Sequence, residues 1–371
     1  MSGAAPRRTR EELAAWLRLI ATPGLGRASV RKLLRAFGSP EAVLGCTVAD
    51  RRAVAGAALA EQLATPPEGF DDLLRRTEAW LADGDEPHAI VTLGDPGYPP
   101  LLLQTADPPL LLHLAGRAEL ATAPSIAIVG SRNPTPQGRE HALAFGRELS
   151  NAGWTIVSGL ALGVDGAAHE GALAGAGSTV AVVGTGLDQI YPRRHAGLHH
   201  RIAQQGLVVS EYLLGTPPLR ENFPVRNRLI AGLSRGTLVV EAALQSGSLI
   251  TARLAAEAGR EVFALPGSLH SPQARGCHAL IRQGAVLVET AQDIFSELAF
   301  VAPTPAEPPP PAAAAEDPLV QALGFDPVGL DELVLRTGLP AAELNARLLD
   351  LELSGRVARL PGQLFQRLGR A

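Results

Sequence analysis

Short runs of β-branched and aliphatic residues alternate with amphipathic stretches through the middle of the chain. The runs are continuously apolar, which is typical of parallel strands that are covered on both faces. Because amphipathic helical stretches separate most of them, the pattern predicts an extended Rossmann-like, doubly wound parallel sheet of the α/β class. The predicted strands are residues 126–129, 155–157, 179–183, 207–209, 237–240, 262–265 and 286–288.

The segment before this sheet has the periodicity of short helices. Apolar residues recur at helical spacing from Trp16 to Ile20 and from Val30 to Phe37, and Gly24-Leu-Gly26 interrupts the pattern. We predict a small helical SAM-like domain over residues 1–85, and then the Rossmann-like domain over residues 86–300 with an irregular extension at 88–124. A Gly-Leu-Gly turn of this kind contacts DNA, binds protein or is only structural, and the sequence leaves these alternatives open.

The end of the chain has a different composition. Four consecutive prolines and four consecutive alanines predict a linker at residues 301–316. Residues 317–371 are predicted to form a winged-helix-like domain, in which Gly338-Leu-Pro340 separates two helices and a hairpin follows. Acidic residues outnumber arginines in this segment, which weakens a DNA-binding interpretation and keeps a protein partner open.

Composition narrows the class of protein. The chain has 371 residues, enough for two or three domains, and its hydrophobic fraction of 46% allows a sizeable core. A formal charge of -4 argues against a generally basic coat for nucleic acid. The two cysteines fit a reducing compartment and support neither a disulfide framework nor a zinc site. Since no apolar run has membrane-spanning length and the first residues lack a signal-peptide core, we expect a cytoplasmic location.

The run from Asn222 to Ser234 brings an aromatic ring, an asparagine and two arginines to the start of an apolar helix. A strand ending before Glu241 follows, and Ser246-Gly-Ser248 then begins another helix. Helix N-termini present unpaired N–H groups, and guanidinium groups match phosphate geometry. The pattern therefore predicts a phosphate site, and several cations with a stacking ring make a polymeric ligand possible.

Glycine-containing loops follow the other predicted strands. Gly130-Ser-Arg132 is followed by Thr135-Pro136, a helix cap with proline at the first helical position, while Ser158–Gly163 and Gly184–Gly186 follow the next two strands. Ligands of doubly wound sheets lie at these carboxyl ends, where glycine lets the backbone approach an anion. Glycines that only permit tight turns are the alternative, because neither a dinucleotide fingerprint nor a Walker sequence is present.

Candidate catalytic groups are few. Asp165 and His169 share one helical face, and an Asp–His pair at a helix start is favoured over an acid–base or metal role. Glu241 is either a general base or, as we favour, a group that orients Arg226 or Arg228. Neighbouring positions on a short helix point apart, so Cys277-His278 is not expected to be a nucleophilic pair. We predict no catalytic residue, cofactor or metal.

Taken in order, the motifs resemble those of the DNA-processing protein A family (DprA, also called Smf) of bacterial transformation. The resemblance covers roughly residues 88–299. The matching runs are Val129–Arg132, Ser158–Asp165 with His169, Gly184–Asp188 with Tyr191-Pro192, Phe223–Ser234, Val239–Ala242, Ser246–Ala252 and Leu265–Gly267.

The resemblance implies a non-catalytic, homodimeric protein that binds single-stranded DNA, protects it and loads RecA during natural transformation. It implies self-association near the end of the Rossmann-like domain, and we expect residues 276–297 to form the dimer interface. Members often have a lysine after Tyr-Pro, for which Arg193 or Arg194 is the candidate replacement. The implied nucleic-acid-binding residues are Gly130, Ser131, Arg132, Phe223, Arg226, Asn227, Arg228, Ser246, Gly247 and Ser248.

Two other functions compete with this interpretation. A Rossmann-like nucleotide sensor or nucleoside-monophosphate hydrolase would use Glu241 as its catalyst. Such enzymes usually carry a Pro-Gly-Gly-x-Gly-Thr loop, and Pro266-Gly-Ser268 departs from it. Alternatively, the protein is mainly an adaptor that acts through its acidic winged-helix tail.

Overall fold

The first part of the chain folds into six short helices around an aliphatic core. The computed structural model describes residues 8–83, 86–298, 317–324 and 326–368. Leu17, Leu19 and Leu33 are fully buried in a core that also includes Ile90 and Leu111 from the following segment, and the predicted helices around Trp16 and Val30 are confirmed. The helices are α1 (Arg10–Ala21), α2 (Arg27–Phe37), α3 (Pro40–Gly45), α4 (Val48–Ala55), α5 (Ala57–Gln62) and α6 (Phe70–Ala82).

A nine-stranded sheet forms the centre of the molecule, in the order β1-β2-β6-β5-β4-β3-β7-β8-β9. The strands from β6 to β9 in that order are parallel, so the doubly wound fold predicted from the apolar runs is confirmed. The strands are β1 (His88–Thr92), β2 (Leu111–Gly116), β3 (Ser125–Val129), β4 (Thr155–Ser158), β5 (Thr179–Val182), β6 (Leu207–Ser210), β7 (Gly236–Val239), β8 (Glu261–Ala264) and β9 (Val286–Leu287).

The segment 88–124 is more regular than its sequence indicates. In place of an irregular extension, it contributes β1 and β2, which pair antiparallel with each other. β2 also pairs antiparallel with β6, with His113 opposite Ser210. Every residue of β2 is buried, so this strand covers a sheet edge that would otherwise leave backbone groups unpaired.

Helices cover both faces of the sheet. On one face, α8 and α9 pack on Ile128 and Trp154. On the other, α11 and α12 pack on Val129 and Val239. Residues 128 and 129 face opposite layers because strand side chains alternate. The helices are α7 (Pro100–Leu103), α8 (Pro136–Asn151), α9 (Val164–Ala172), α10 (Ala196–Gln205), α11 (Asn222–Leu233), α12 (Gly247–Glu257), α13 (Arg275–Arg282) and α14 (Ala291–Glu297).

The last described segment is a winged helix, with two helices that match the prediction on either side of Gly338. Its small sheet has the order β10-β12-β11. Gln366 Nε2 donates a hydrogen bond of 2.5 Å to Gln137 Oε1 on α8. The elements are α15 (Pro318–Leu323), β10 (Val328–Gly329), α16 (Leu330–Thr337), α17 (Ala341–Leu353), β11 (Val357–Leu360) and β12 (Leu364–Arg367).

The predicted linker at 301–316 lies outside the described residues. The domain boundaries at residues 85, 300 and 316 therefore stay predictions. Within the described ranges, no helix has both the length and the apolar character needed to cross a bilayer.

His169 joins α9 to two neighbouring elements in the core. The backbone N–H of Leu160 donates to Nε2 at 3.3 Å, and Nδ1 lies 2.7 Å from the Thr179 hydroxyl. Because that hydroxyl donates to the Ile156 carbonyl at 2.6 Å, it accepts from Nδ1–H, and the ring is neutral. Burial lowers the pKa of His169 to about 3, and the nearby charges of His195 and Arg226 add to the effect.

Stability should therefore decrease on acidification. Unfolded histidine titrates near pH 6.5, whereas folded His169 stays neutral, so the unfolded state gains protons first as the pH falls. Between about pH 6.5 and pH 5 this one histidine accounts for a loss of about 2 kcal/mol in the free energy of unfolding. We expect His169→Gln to be less stable near neutrality but to lose about that much less on acidification, measured by urea unfolding at both pH values.

The matched control is His270→Gln, since His270 is exposed in the loop between β8 and α13. It should keep the acid sensitivity of the wild type. His113 and His199 are also buried, with pKa values of about 4, so the His169 variant should retain part of the sensitivity. An equal loss of stability on acidification in all three proteins would contradict the assignment to His169.

Candidate functional site

A cavity of about 490 Å³ opens at the carboxyl ends of the central strands. The chain leaves β3 towards β4 on one side, and leaves β7 towards β8 on the other side. The loops that follow β3 and β7 therefore diverge and leave a crevice between them. This is the switch point at which open α/β sheets bind their ligands.

Most of the predicted binding residues meet around this cavity. Arg228 is the exception, because it lies outside the lining: its guanidinium donates to the Glu211 carboxylate and to the Asp107 carbonyl. Nine of the ten predicted residues line the cavity, namely Gly130, Ser131, Arg132, Phe223, Arg226, Asn227, Ser246, Gly247 and Ser248.

The loop after β3 forms one wall of the cavity. Gly130 packs so closely on α9 that a Cβ there would lie 2.7 Å from a methyl group of Val164. The Ser131 carbonyl accepts from the Val164 N–H at 3.1 Å, and its hydroxyl accepts from the Asn133 N–H at 3.1 Å. With the loop held in this way, Arg132 projects as an exposed cation, and no described carboxylate lies within ion-pair distance of it.

Arg226 lies beneath the cavity rather than in open solvent. Its side chain is 4% exposed, and Nη1 donates to the carbonyls of Gly159 and Val182, the former at 2.7 Å. Nε donates to Asn227 Oδ1 at 3.1 Å. Burial lowers the pKa of Arg226 to about 10, so the group stays charged at neutral pH. Arg226 thus fastens α11 to the ends of two strands and places a poorly screened positive charge under the cavity.

Asp165 is a cavity residue that the sequence interpretation placed differently. The predicted pairing with His169 is wrong, since the Asp165 carboxylate accepts from the N–H groups of Gly159 and Ala161 at 3.1 and 3.4 Å. Asp165 is in the first turn of α9 and faces the loop, whereas His169 lies one turn later and reaches β5. Burial raises the pKa of Asp165, and the charge of Arg226 opposes that rise.

Glu241 does not orient an arginine, so that expectation is also wrong. Its carboxylate accepts from the Thr135 N–H at 2.9 Å and from the Thr135 hydroxyl at 2.5 Å. Thr135 in turn accepts from the Gly138 N–H at 3.0 Å, which completes the predicted cap of α8. The end of β7 lies beside the start of α8, and this proximity directs Glu241 to the cap. Burial raises the pKa of Glu241.

Two aromatic rings stand at the cavity edge. Phe223 is partly buried in the lining, and its ring centre lies 5.3 Å from that of Tyr191, at an interplanar angle of 39°. Tyr191 is 45% exposed. The approach of Phe223 to the backbone depends on Gly184, where a Cβ would lie 3.1 Å from the ring. The two rings are tilted against each other, and the exposed ring of Tyr191 offers an accessible face on which a base or sugar can pack.

The start of α12 faces the cavity from the opposite side. The Ser246 hydroxyl accepts from the Ser248 N–H at 3.3 Å and lies 2.6 Å from the Ser248 hydroxyl. No atom comes within 4 Å of a Cβ built at Gly247, so space for a ligand remains at the helix start. The unpaired N–H groups and the helix dipole favour an anion there.

Further exposed arginines flank residues that line the cavity. Arg193 and Arg194 are in a short turn that packs on the loop before α9, since His195 Nδ1 lies 3.0 Å from the Leu160 carbonyl. Arg220 precedes α11, and Arg275 begins α13. All four are exposed, and none has an ion-pair partner in the described part of the chain. Sequence reasoning missed Arg220 and Arg275, because only the folded loops show which arginines lack a carboxylate partner.

Comparisons with known proteins agree with this architecture. The family model described as DNA recombination-mediator protein A matches residues 89–299, and the model of the DprA winged helix domain matches residues 303–363. Protein Smf of Escherichia coli is 42% identical over an alignment of 302 residues that covers 79% of this chain and 80% of that protein.

Two solved structures are similar as well. The DNA processing protein A of Streptococcus pneumoniae superposes with a TM-score of 0.66 at 37% identity, over 79% of this chain and 99% of that one. The Helicobacter pylori protein, whose structure concerns its single-stranded DNA binding mode, gives a TM-score of 0.51 at 36% identity, over 57% and 95% of the two chains. From the fold, the switch-point cavity and these matches together, the chain belongs to the DNA recombination-mediator protein A (DprA/Smf) family.

Proposed function

We propose that this protein binds single-stranded DNA in the switch-point cavity and acts, without catalysis, as a recombination mediator in natural transformation. The observation that carries the proposal is the position of Arg132, an exposed cation without a described ion-pair partner, at the mouth of a cavity that also holds a helix start and Phe223. The relative from H. pylori, with its single-stranded DNA binding mode, supports the same ligand.

The cavity has groups that suit the phosphates and the base of a nucleotide. Arg132 and the N–H groups at the start of α12 suit phosphates, and Phe223 with Tyr191 suits a base. Stacking of one base on an aromatic ring is worth about 1–3 kcal/mol and tolerates any sequence. We therefore expect binding with little base preference and with strong dependence on salt.

The hydrogen bonds and protonation of the buried polar groups support a non-catalytic role. Both carboxylate oxygens of Glu241 accept from Thr135, and Asp165 accepts from two backbone N–H groups. Burial raises the pKa of the Cys277 thiol to about 12, so it stays protonated at neutral pH. These contacts argue against the nucleoside-monophosphate hydrolase, which would need Glu241 as a free base.

Replacing Arg132 by alanine should weaken single-strand binding about tenfold at moderate salt. The slope of log Kd against log salt concentration should decrease by about one, because the loss of one phosphate contact releases one counterion fewer. Fluorescence anisotropy with a labelled oligothymidine at several salt concentrations measures both quantities. The matched control is Arg139→Ala, which removes an exposed arginine paired with Glu170 at 2.9 Å and should bind like the wild type.

Unchanged affinity and salt dependence in the Arg132 variant would refute the site. The hydrolase alternative has its own readout, which is the release of free base from nucleoside monophosphates by the wild type. Release that disappears in a Glu241→Gln variant would instead establish the enzyme.

We also propose that the protein is a homodimer through residues 276–297. β9 is the last strand of the sheet, and Leu287 on it is 46% exposed. A groove of about 710 Å³ beside it is lined by apolar residues that include Leu249, Leu280 and Ala285. An exposed apolar surface next to a short edge strand is the kind of surface that a second copy covers.

The test of this interface is the molar mass in solution. Leu287→Glu should halve the mass measured by light scattering, because a buried unpaired carboxylate opposes association. Leu103→Glu changes a leucine that is 52% exposed on α7 and should leave the mass unchanged. A wild type that is monomeric, or a Leu287 variant that keeps the dimer mass, would rule out this surface.

Finally, we propose that the bound strand is passed to RecA in the cytoplasm, as the family description of a recombination mediator supports. The wild type should shorten the lag of RecA ATP hydrolysis on DNA that is coated with single-strand-binding protein, and Arg132→Ala should not. Normal DNA binding without any change in the lag would contradict the RecA step and leave the DNA site intact.

A further inference from the structure

Helix α17 has two apolar faces, and only one of them is buried. Leu344, Leu348 and Leu351 are inside the core of the winged helix. The opposite face is exposed: Leu349 is 54% and Leu353 is 79% exposed. The exposed stripe consists of Ala342, Ala346, Leu349 and Leu353.

The exposed stripe has the spacing of a helix-packing seam. Its residues follow one another at intervals of four, three and four, which is the heptad pattern of a helix that packs along a second helix. The small alanines at one end allow close approach, and the leucines at the other supply apolar area. α17 packs with α16 and β11, and because the four stripe residues are exposed, neither element covers the stripe.

The position of α17 in the fold makes its composition unusual. α17 is the second helix of the helix-turn-helix, which in DNA-binding proteins enters the major groove. Here the stripe is flanked by Glu343, Asp350 and Glu352, and Arg347 is paired with Glu343 at 2.8 Å. Phosphates would meet carboxylates and leucines rather than free cations, so this face is unsuited to DNA.

A second copy of the helix is also disfavoured by charge. In the heptad with Ala346 and Leu353 at a positions, Glu343 and Asp350 occupy e positions. An antiparallel pair of α17 helices would set Glu343 of one copy against Asp350 of the other, and like charges there destabilise the pair. The same acidic flanks would attract lysine or arginine on a different helix.

We propose that the stripe on α17 is a docking site for an amphipathic helix of another protein, with aliphatic residues along its seam and basic residues on both flanks. Docking of this kind places an apolar face in contact with the leucines while the flanking charges set orientation and specificity. The site is independent of the switch-point cavity and of the function proposed for it.

The test uses the full chain and a synthetic helical peptide with leucine at a and d positions and lysine at e and g positions. A control peptide carries glutamate in place of lysine. We expect the lysine peptide to bind the wild type, and the double variant Leu349→Ser, Leu353→Ser to bind it at least about tenfold more weakly, by anisotropy. Leu103→Ser makes the same change on an exposed leucine of α7 and should bind the peptide like the wild type.

A charge variant gives an independent readout. Asp350→Asn should weaken binding of the lysine peptide severalfold at low salt and less at high salt. The proposal is overturned if the lysine peptide binds the double variant as well as the wild type, or if the glutamate peptide binds equally well. It is also overturned if the double variant loses duplex DNA binding or dimer mass instead. Single-strand binding by the same variants is expected to be unchanged, and a circular-dichroism spectrum and unfolding transition like those of the wild type verify that they are folded.

Discussion

The desolvated guanidinium of Arg226 is the interaction on which the candidate site depends. It joins the start of α11 to the carboxyl ends of β4 and β5 through the Gly159 and Val182 carbonyls. Removing a buried charge of this kind leaves its partners unpaired, which is strongly destabilising. Because the same helix start presents Phe223 and Asn227, the ion that holds the loops together also fixes the shape of the cavity.

Around this centre, buried and exposed charges have different tasks. The buried groups Asp165 and Glu241 satisfy backbone N–H groups at the starts of loops and helices, so their pKa values are set by burial and local hydrogen bonds. Exposed arginines such as Arg132 have no described carboxylate within ion-pair distance, so their charge is available to an anionic ligand. A chain with a net charge of -4 can thus present a positive site, because the sign of a surface is decided locally.

α11 also connects the cavity to the N-terminal helices. Arg228 pairs with Glu211, and Asp107 accepts from Arg27 at 2.6 Å and from Arg31 at 2.8 Å. Arg27 begins α2 directly after the Gly-Leu-Gly turn, so this turn supports a contact between the N-terminal helices and the segment before β2. A paired arginine such as Arg228 resembles a free one in the sequence, and only its carboxylate partners distinguish the two.

The sequence by itself determined the parallel part of the sheet, the helices around it and the loops that meet at its carboxyl edge, whereas the antiparallel strands β1 and β2 were not predicted. Strand and helix periodicities are local, so the runs at 126–129 and 237–240 were predicted within a residue or two of β3 and β7. Ligands of doubly wound sheets lie at the carboxyl ends of the strands, and this rule together with the family resemblance is why the loops at Arg132 and Ser246 were expected to line one site.

Tertiary structure alone decided the roles of individual side chains. These roles depend on contacts between residues that are far apart in the chain, such as Thr135 with Glu241, which are about 100 positions apart. Such contacts decide which carboxylate faces Arg226, where Glu241 points and which arginines remain unpaired. No local pattern encodes such contacts, because they arise from the packing of whole elements. The sequence therefore located the candidate site. The fold decided which of its charged groups are buried and support the loops, and which are exposed and available to a ligand.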